Sequence, residues 1–182
     1  MDFDSFSHGQ IKSKIWLCEQ IEPLIKPNSK VLILGGWVNV LGFMLMTRQE
    51  NKYSLIQSVD SNPTTIETAN KITDRWVIDG RVKNKVADAN TVPSNEFDII
   101  INCSPEHMDS IKWFSNINPN TLVCIQSSNV TSPEKPWFIT NANPTLDSFL
   151  SKFPLSRIHF YGTLPITYDN WGYDRYMLIG YK

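Results

Sequence analysis

A chain of 182 residues is long enough for one domain with a core of its own, and 41% hydrophobic against 19% charged residues excludes a disordered segment. A net charge of -1 without any lysine- or arginine-rich run argues against a surface that neutralises a nucleic-acid backbone, which disfavours nucleic acid as a partner. Cys18, Cys103 and Cys124 are odd in number and have no CxxC pairing, so free thiols in a reducing cytosol are expected, with neither a disulfide framework nor a metal site. The N-terminus MDFDSFSH is acidic and polar, unlike a signal peptide, and no apolar run approaches the roughly 20 residues that span a bilayer. A soluble, cytoplasmic protein with no membrane partner is the expectation.

Taken in order, residues 8–25 place Ile11, Ile15, Trp16, Cys18, Ile21, Leu24 and Ile25 near a helical repeat that Pro27-Asn28 stops. Residues 1–27 thus form an N-terminal helix that packs on, or partly covers, a core of residues 28–182. Val31 to Leu34 is an unbroken apolar run that suits a strand buried on both faces, and it runs into Gly35-Gly36. A buried helix follows from Val40 to near Glu50. Tyr53–Val59 reads as a second strand that ends at Asp60-Ser61-Asn62-Pro63, and a helix over 64–78 opens at Pro63. Val82–Val86 is a third strand, closed by Ala87-Asp88-Ala89-Asn90. Ile99–Ile101 is a fourth and central strand, with a helix expected from Pro105 through about Phe114. Leu122–Ile125 is the fifth strand, and residues 130–144, with three prolines and no period, read as a loop on the active-site side. After a short helix at 145–153, strands 157–163 and 174–181 pair as an antiparallel hairpin.

Strands alternating with helices predict a mostly parallel seven-stranded sheet in a three-layer α/β/α, Rossmann-like fold that closes on an antiparallel hairpin. Ligands of such sheets bind beyond the carboxyl ends of the strands. There the chain places Gly35-Gly36-Trp37, Asp60, Asp88, Asn102-Cys103-Ser104-Pro105-Glu106-His107 and Gln126-Ser127-Ser128-Asn129. A glycine pair after a buried strand lets the backbone turn tightly and brings a helix N-terminus up to a ligand. A carboxylate at Asp60, 25 residues past Gly35, can accept from both hydroxyls of a ribose, or it can cap the next helix, a role Ser61 or Asn62 could also fill. Asp88 can accept an adenine amino group or simply serve its turn. Trp37 can stack on a ligand, shield it, or pack on the N-terminal helix.

This order of features resembles the class I S-adenosylmethionine-dependent methyltransferases over almost the whole chain. The resemblance rests on VLILGGW, Asp60 after strand two, the Asp88 turn, the strand FDIIIN and the closing hairpin. It implies S-adenosylmethionine as cofactor. Gly35 and Gly36 would pass beside its methionine portion, Asp60 would hold the ribose, Asp88 with Ala89 would contact adenine, and Asn102 would lie near the sulfonium and the acceptor; Trp37, Ser61 and Cys103 are further candidate cofactor contacts. The glycine loop departs from the family's alternate spacing, since Ile33, Gly35, Trp37 and Asn39 hold the four positions.

Methyl transfer asks the protein mainly to align an acceptor and remove a proton. His107, which can titrate near neutrality, and Glu106 lie at the start of the segment after strand four and are the candidate catalytic pair; Glu106 can equally complement a helix dipole. Ser127, Asn129, Tyr168 and Trp171 are the candidate substrate contacts, and Asp174 with Arg175 reads as a surface pair. The expected activity is methyl transfer to a small or modest-sized acceptor. The alternatives are transfer of an aminopropyl or aminocarboxypropyl arm from the same type of cofactor, and a non-catalytic cofactor-binding or interaction module.

Overall fold

A computed structural model of the chain describes residues 3–133 and 138–182. The chain opens on a 3-10 turn, Phe3–Phe6, and helix α1, His8–Ile21. Strand β1, Ser29–Leu34, leads to α2, Val40–Gln49, and β2, Tyr53–Asp60, to α3, Pro63–Ile72, and α4, Asp74–Ile78. β3, Val82–Val86, and β4, Ile99–Asn102, precede a short helix α5, Lys112–Ser115. β5, Leu122–Ser128, is followed by α6, Leu146–Lys152, and by the long strands β6, Arg157–Thr167, and β7, Gly172–Tyr181.

The seven strands form one sheet in the order β3-β2-β1-β4-β5-β7-β6. Strands β1 to β5 run parallel to one another, and β7 runs antiparallel to both β5 and β6. Because β1 sits between β2 and β4, both of its edges are paired, and helices cover both of its faces. That is why Val31 to Leu34 is apolar without alternation. Val31 and Ile33 join Leu17, Cys18, Leu41, Leu45, Ile99 and Ile101 in the core under α1 and α2. Leu32 and Leu34 join Ile100, Val123, Ile125, Phe149, Phe153 and Leu178 in the core under α5 and α6. The three-layer fold with a closing hairpin is as the sequence predicts.

Among the strands, β5 runs on to Ser128, past the expected Ile125, β6 runs to Thr167, past the expected 163, and β7 starts at Gly172, ahead of the expected 174. Three helical boundaries also differ, each for a local reason. The first helix stops at Ile21, earlier than 25, because Pro23 cannot donate a backbone hydrogen bond, and Glu22–Leu24 tightens to a 3-10 turn. The helix expected over 64–78 breaks at Thr73, whose hydroxyl donates to Ala69 O at 2.8 Å and accepts from Asn84 Nδ2 at 3.0 Å. The helix expected from Pro105 to Phe114 is only a 3-10 turn, Pro105–His107, followed by an extended Met108 and then α5. The expected 130–144 loop is described on either side of residues 134–137, which lie outside the described residues.

Truncating a fully buried β1 side chain removes contacts from the centre of the sheet. Leu32→Ala is expected to lower unfolding free energy by about 3 kcal/mol with an unchanged denaturant slope in urea titrations. A loss below about 1 kcal/mol would show that this strand is not the packed centre described.

Candidate cofactor and acceptor site

β1 releases the chain into a turn of unusual backbone geometry. Gly35 has φ +60°, and Trp37 and Asn39 follow with φ +52° and +55°. The left-handed φ of Gly35 favours glycine whatever the space, and a Cβ there would also press on Ser104 Oγ and lie 2.9 Å from Met108 Cε, under the segment that leaves β4. Gly36 N–H donates to Val59 O at 2.9 Å, which ties the turn to β2, and a Cβ there would meet the buried hydroxyl of Ser58. Fully buried Asn39 then caps α2, its Oδ1 accepting from Gly42 N–H at 3.0 Å. Its Nδ2 donates to Asn84 Oδ1 at 2.8 Å, and Asn84 Nδ2 donates in turn to Asn70 Oδ1 at 2.9 Å and to Thr73 Oγ1. A left-handed residue at the helix start is thus held by a polar chain that reaches across β3 to α3.

Asp60 ends β2 half-buried beside this turn. Its Oδ2 accepts from Trp37 N–H at 2.9 Å and its Oδ1 from Asn62 N–H at 3.0 Å. The α3 cap is Asn62, whose Oδ1 accepts from Thr64 N–H at 3.0 Å, so Asp60 does not spend its carboxylate on that helix. Each Asp60 oxygen retains accepting capacity, and Ser61 beside it is exposed. Asp88 is exposed and accepts from Asn90 N–H at 2.9 Å in an Asx turn, with Ala89 packed on the second core.

At the end of β4, buried Asn102 accepts from Ser104 N–H at 3.0 Å, and its amide donates to Met108 Sδ at 3.4 Å. Ser104 Oγ donates to Gly35 O at 3.1 Å. These bonds fold the chain after β4 back over the glycine turn, which is why it does not continue as a helix. Burial pushes the Cys103 thiol up to about 11, which leaves it protonated and unreactive at neutral pH.

Glu106 is 2% exposed, and Arg175 of β7 is 6% exposed. Arg175 Nη1 donates to Glu106 Oε1 at 3.2 Å, while Arg175 Nε and Glu106 Oε2 are buried with no partner. The expected surface pair of Asp174 with Arg175 is therefore not formed. Arg175 points into the protein, and Asp174 instead meets Asn129. Lys14 of α1 is 9% exposed, and its Nζ donates to Gln10 Oε1 at 2.6 Å. Burial pushes the Lys14 ammonium down to about 8, with Cys103 and Asp4 pulling it up and Arg175 pushing it further down. Gln126 Nε2 donates to Ser13 O at 2.9 Å and fixes α1 over the end of β5.

The remaining candidates are spread more widely. His107 is exposed, with Nδ1 3.4 Å from Phe138 O. Ser127 is buried and accepts from Asn143 Nδ2 at 2.7 Å, and Asn129 Oδ1 accepts from Asp174 N–H at 2.9 Å. Tyr168 stacks on Trp171 with ring centroids 4.5 Å apart, and its hydroxyl accepts from Gly9 N–H at 3.2 Å, at the start of α1. Among the described residues no cluster of His, Cys, Asp or Glu could hold a metal ion, and no helix is long and apolar enough to cross a membrane.

No protein-family model matches the sequence, and no curated protein matches it. Solved structures do match the fold. The N-methyltransferase NodS from Bradyrhizobium japonicum superposes with a TM-score of 0.71 at 13% identity, over 93% of this chain and 95% of that one. The tRNA (uracil-54, C5)-methyltransferase from Pyrococcus abyssi, solved with S-adenosyl-L-homocysteine, gives 0.64 at 17% identity, over 92% of this chain but only 38% of that one. A candidate sarcosine dimethylglycine methyltransferase from Galdieria sulphuraria gives 0.56 at 16% identity, over 65% of this chain and 46% of its own. The chain has the class I methyltransferase fold.

Within this methyltransferase fold, Lys14 and Arg175 are the polar residues that sequence reasoning missed. Lys14 falls on the same helical stripe as Leu17, Cys18 and Ile21, and a lysine interrupting an apolar stripe is a legible signal. Arg175 carried no signal, because β7 is buried on both faces and alternation cannot mark an inward residue there.

Lys14 makes stability depend on pH in a defined direction. Unfolded, it holds its proton up to about 10.5, whereas folded it releases the proton at about 8, so its cost is full below pH 8 and is relieved as pH rises through that window. Lys14→Met is expected to be more stable than the parent by about 3 kcal/mol below pH 8, with the difference shrinking between pH 8 and 10.5. Urea unfolding of both proteins at three pH values checks this; a pH-independent difference would contradict it.

Proposed function

We propose that the protein is an S-adenosylmethionine-dependent methyltransferase acting on a small or modest-sized acceptor. The observation that carries this reading is the 2.9 Å bond from Trp37 N–H to Asp60 Oδ2, which sets a half-buried carboxylate beside a glycine turn at the ends of adjacent strands. The residues present fit an adenosine cofactor. Asp60 keeps open acceptor positions for ribose hydroxyls, Asp88 with Ala89 is placed for the adenine edge, and Gly35 with Gly36 leaves no side chain against the methionine portion. Ser104 and Met108 cover Gly35 by side-chain tips, which can turn aside by rotation about their own bonds.

When bound, the cofactor supplies an activated methyl group on a sulfonium. The chain's own contribution is alignment and proton removal. Asn102 and Cys103 border the position beside Gly35, with the Asn102 amide turned toward Met108. Arg175 anchors Glu106 and with it the turn that carries His107, which is exposed to solvent and able to pass on a proton. Trp37 closes the cofactor turn. Tyr168 and Trp171, in the β6–β7 connection that meets α1 at Gly9, and Ser127 and Asn129, at the end of β5, would border the acceptor side.

Calorimetric titration tests the cofactor. S-adenosylmethionine and S-adenosylhomocysteine are expected to bind saturably, and Asp60→Ala to weaken both by at least tenfold. No binding of either would overturn the reading. With an acceptor in hand, His107→Ala is expected to lower kcat by about a hundredfold with little change in KM, and unaltered turnover would remove His107 from its role as base.

A further inference from the structure

The space beside Gly35, which the cofactor reading gives to the methionine portion, is held by two of the chain's own side chains. Ser104 and Met108 reach it from the two ends of the Pro105–His107 turn. Ser104 Oγ donates to Gly35 O at 3.1 Å, and Met108 Cε stands 2.9 Å from where a Cβ of Gly35 would be. A ligand passing beside Gly35 and these two side chains cannot hold the same volume at once. Both residues are half-buried, and Met108 is unbranched, so each has somewhere to turn.

One residue governs both. Asn102 is fully buried; its Oδ1 accepts from Ser104 N–H at 3.0 Å, and its Nδ2 donates to Met108 Sδ at 3.4 Å. A thioether is a weak acceptor, so the Asn102 amide gains when an oxygen takes the place of that sulfur. The middle of the turn is anchored from its other side. Arg175 Nη1 donates to Glu106 Oε1 at 3.2 Å, and Glu106 O accepts from Thr140 and Asn141 N–H at 2.9 and 3.0 Å. The backbone between Ser104 and Met108 is thus pinned, while the two side chains at its ends are held over Gly35 by one ordinary and one weak bond.

We propose that Ser104 and Met108 form a latch over the glycine turn that opens when the cofactor binds. Ser104 gives up Gly35 O, Met108 swings off Asn102, and the freed Asn102 amide donates to an oxygen of the entering ligand. The turn that carries His107 stays in place. This inference deepens the methyl-transfer reading above and rests on its cofactor. Because the latch must open first, its contacts lower the apparent affinity, and removing them tightens binding. Loss of a residue that touches the cofactor would do the reverse.

Calorimetric titration of S-adenosylhomocysteine into the full chain compares the parent with Ser104→Ala, Ser104→Thr and Met108→Ala. Ser104→Ala, which removes the hydroxyl and keeps the Cβ, is expected to tighten binding at least about threefold, and Met108→Ala to act in the same direction. Ser104→Thr, which keeps the hydroxyl, is expected to show no tightening. Nuclear magnetic resonance of the parent follows the Met108 methyl, assigned among the five methionines by its loss in Met108→Ala. That signal is expected to shift saturably, with the dissociation constant that calorimetry gives. Unchanged or weaker binding in Ser104→Ala, or a Met108 signal that stays fixed at saturation, overturns the latch and leaves the cofactor reading standing. Absence of binding in the parent and in every variant overturns the cofactor reading, and the latch with it.

Discussion

The structure depends on the burial of β1 along both edges and both faces. A strand enclosed by β2 and β4 and covered by α1, α2 and the α5–α6 layer has no polar side chain to spare, so every ligand-facing group must come from residues beyond Leu34. The turn at Gly35-Gly36 lies too close to its neighbours for a side chain. Ser104 and Met108 press on Gly35, and Ser58 presses on Gly36. The sheet order reverses between β1 and β4, and the crevice of an open parallel sheet lies at such a switch. The same constraint that makes the strand apolar therefore puts backbone, in place of side chains, at the bottom of the site.

Two polar systems hold the walls of that crevice. On the β2–β3 side, the chain from Asn39 through Asn84 to Asn70 and Thr73 secures a left-handed residue at the start of α2, and Asp60 bridges the glycine turn to the α3 cap. These are neutral or half-buried groups with their bonds largely made. On the β4–β7 side, Arg175 and Glu106 are charged, almost wholly buried and incompletely paired. Removing one member of such a pair leaves the other stranded, which makes it expensive for the free protein to maintain. Glu106 also accepts, through its carbonyl, from Thr140 and Asn141 N–H at 2.9 and 3.0 Å, so the pair anchors the 138–143 segment as well.

The order of strands and helices was legible in the chain, because each signal was local. Val31–Leu34 and Ile99–Ile101 are apolar in a row, Gly35-Gly36 follows the first, and Pro63 with Asn62 starts α3. Where local pattern competed with a tertiary bond, it misled. Pro105, well suited to a first helical turn, suggested a helix through Phe114, but Met108 turns back to the Asn102 amide, and Ser104 to Gly35 O. Thr73 sits in a helical pattern and breaks it because Asn84, on the adjacent strand, engages its hydroxyl.

By itself the sequence determined the three-layer architecture, the glycine turn and the acid beyond β2, since side-chain period, glycine and proline act within a few residues of where they stand. Only the tertiary structure decided that Arg175, neighbour to an aspartate in the chain, abandons it for Glu106, and that Lys14 is buried. The reason is physical. A charged side chain's partner is chosen by distance and solvent exclusion in three dimensions, and residues 106 and 175 meet only because β7 pairs with β5.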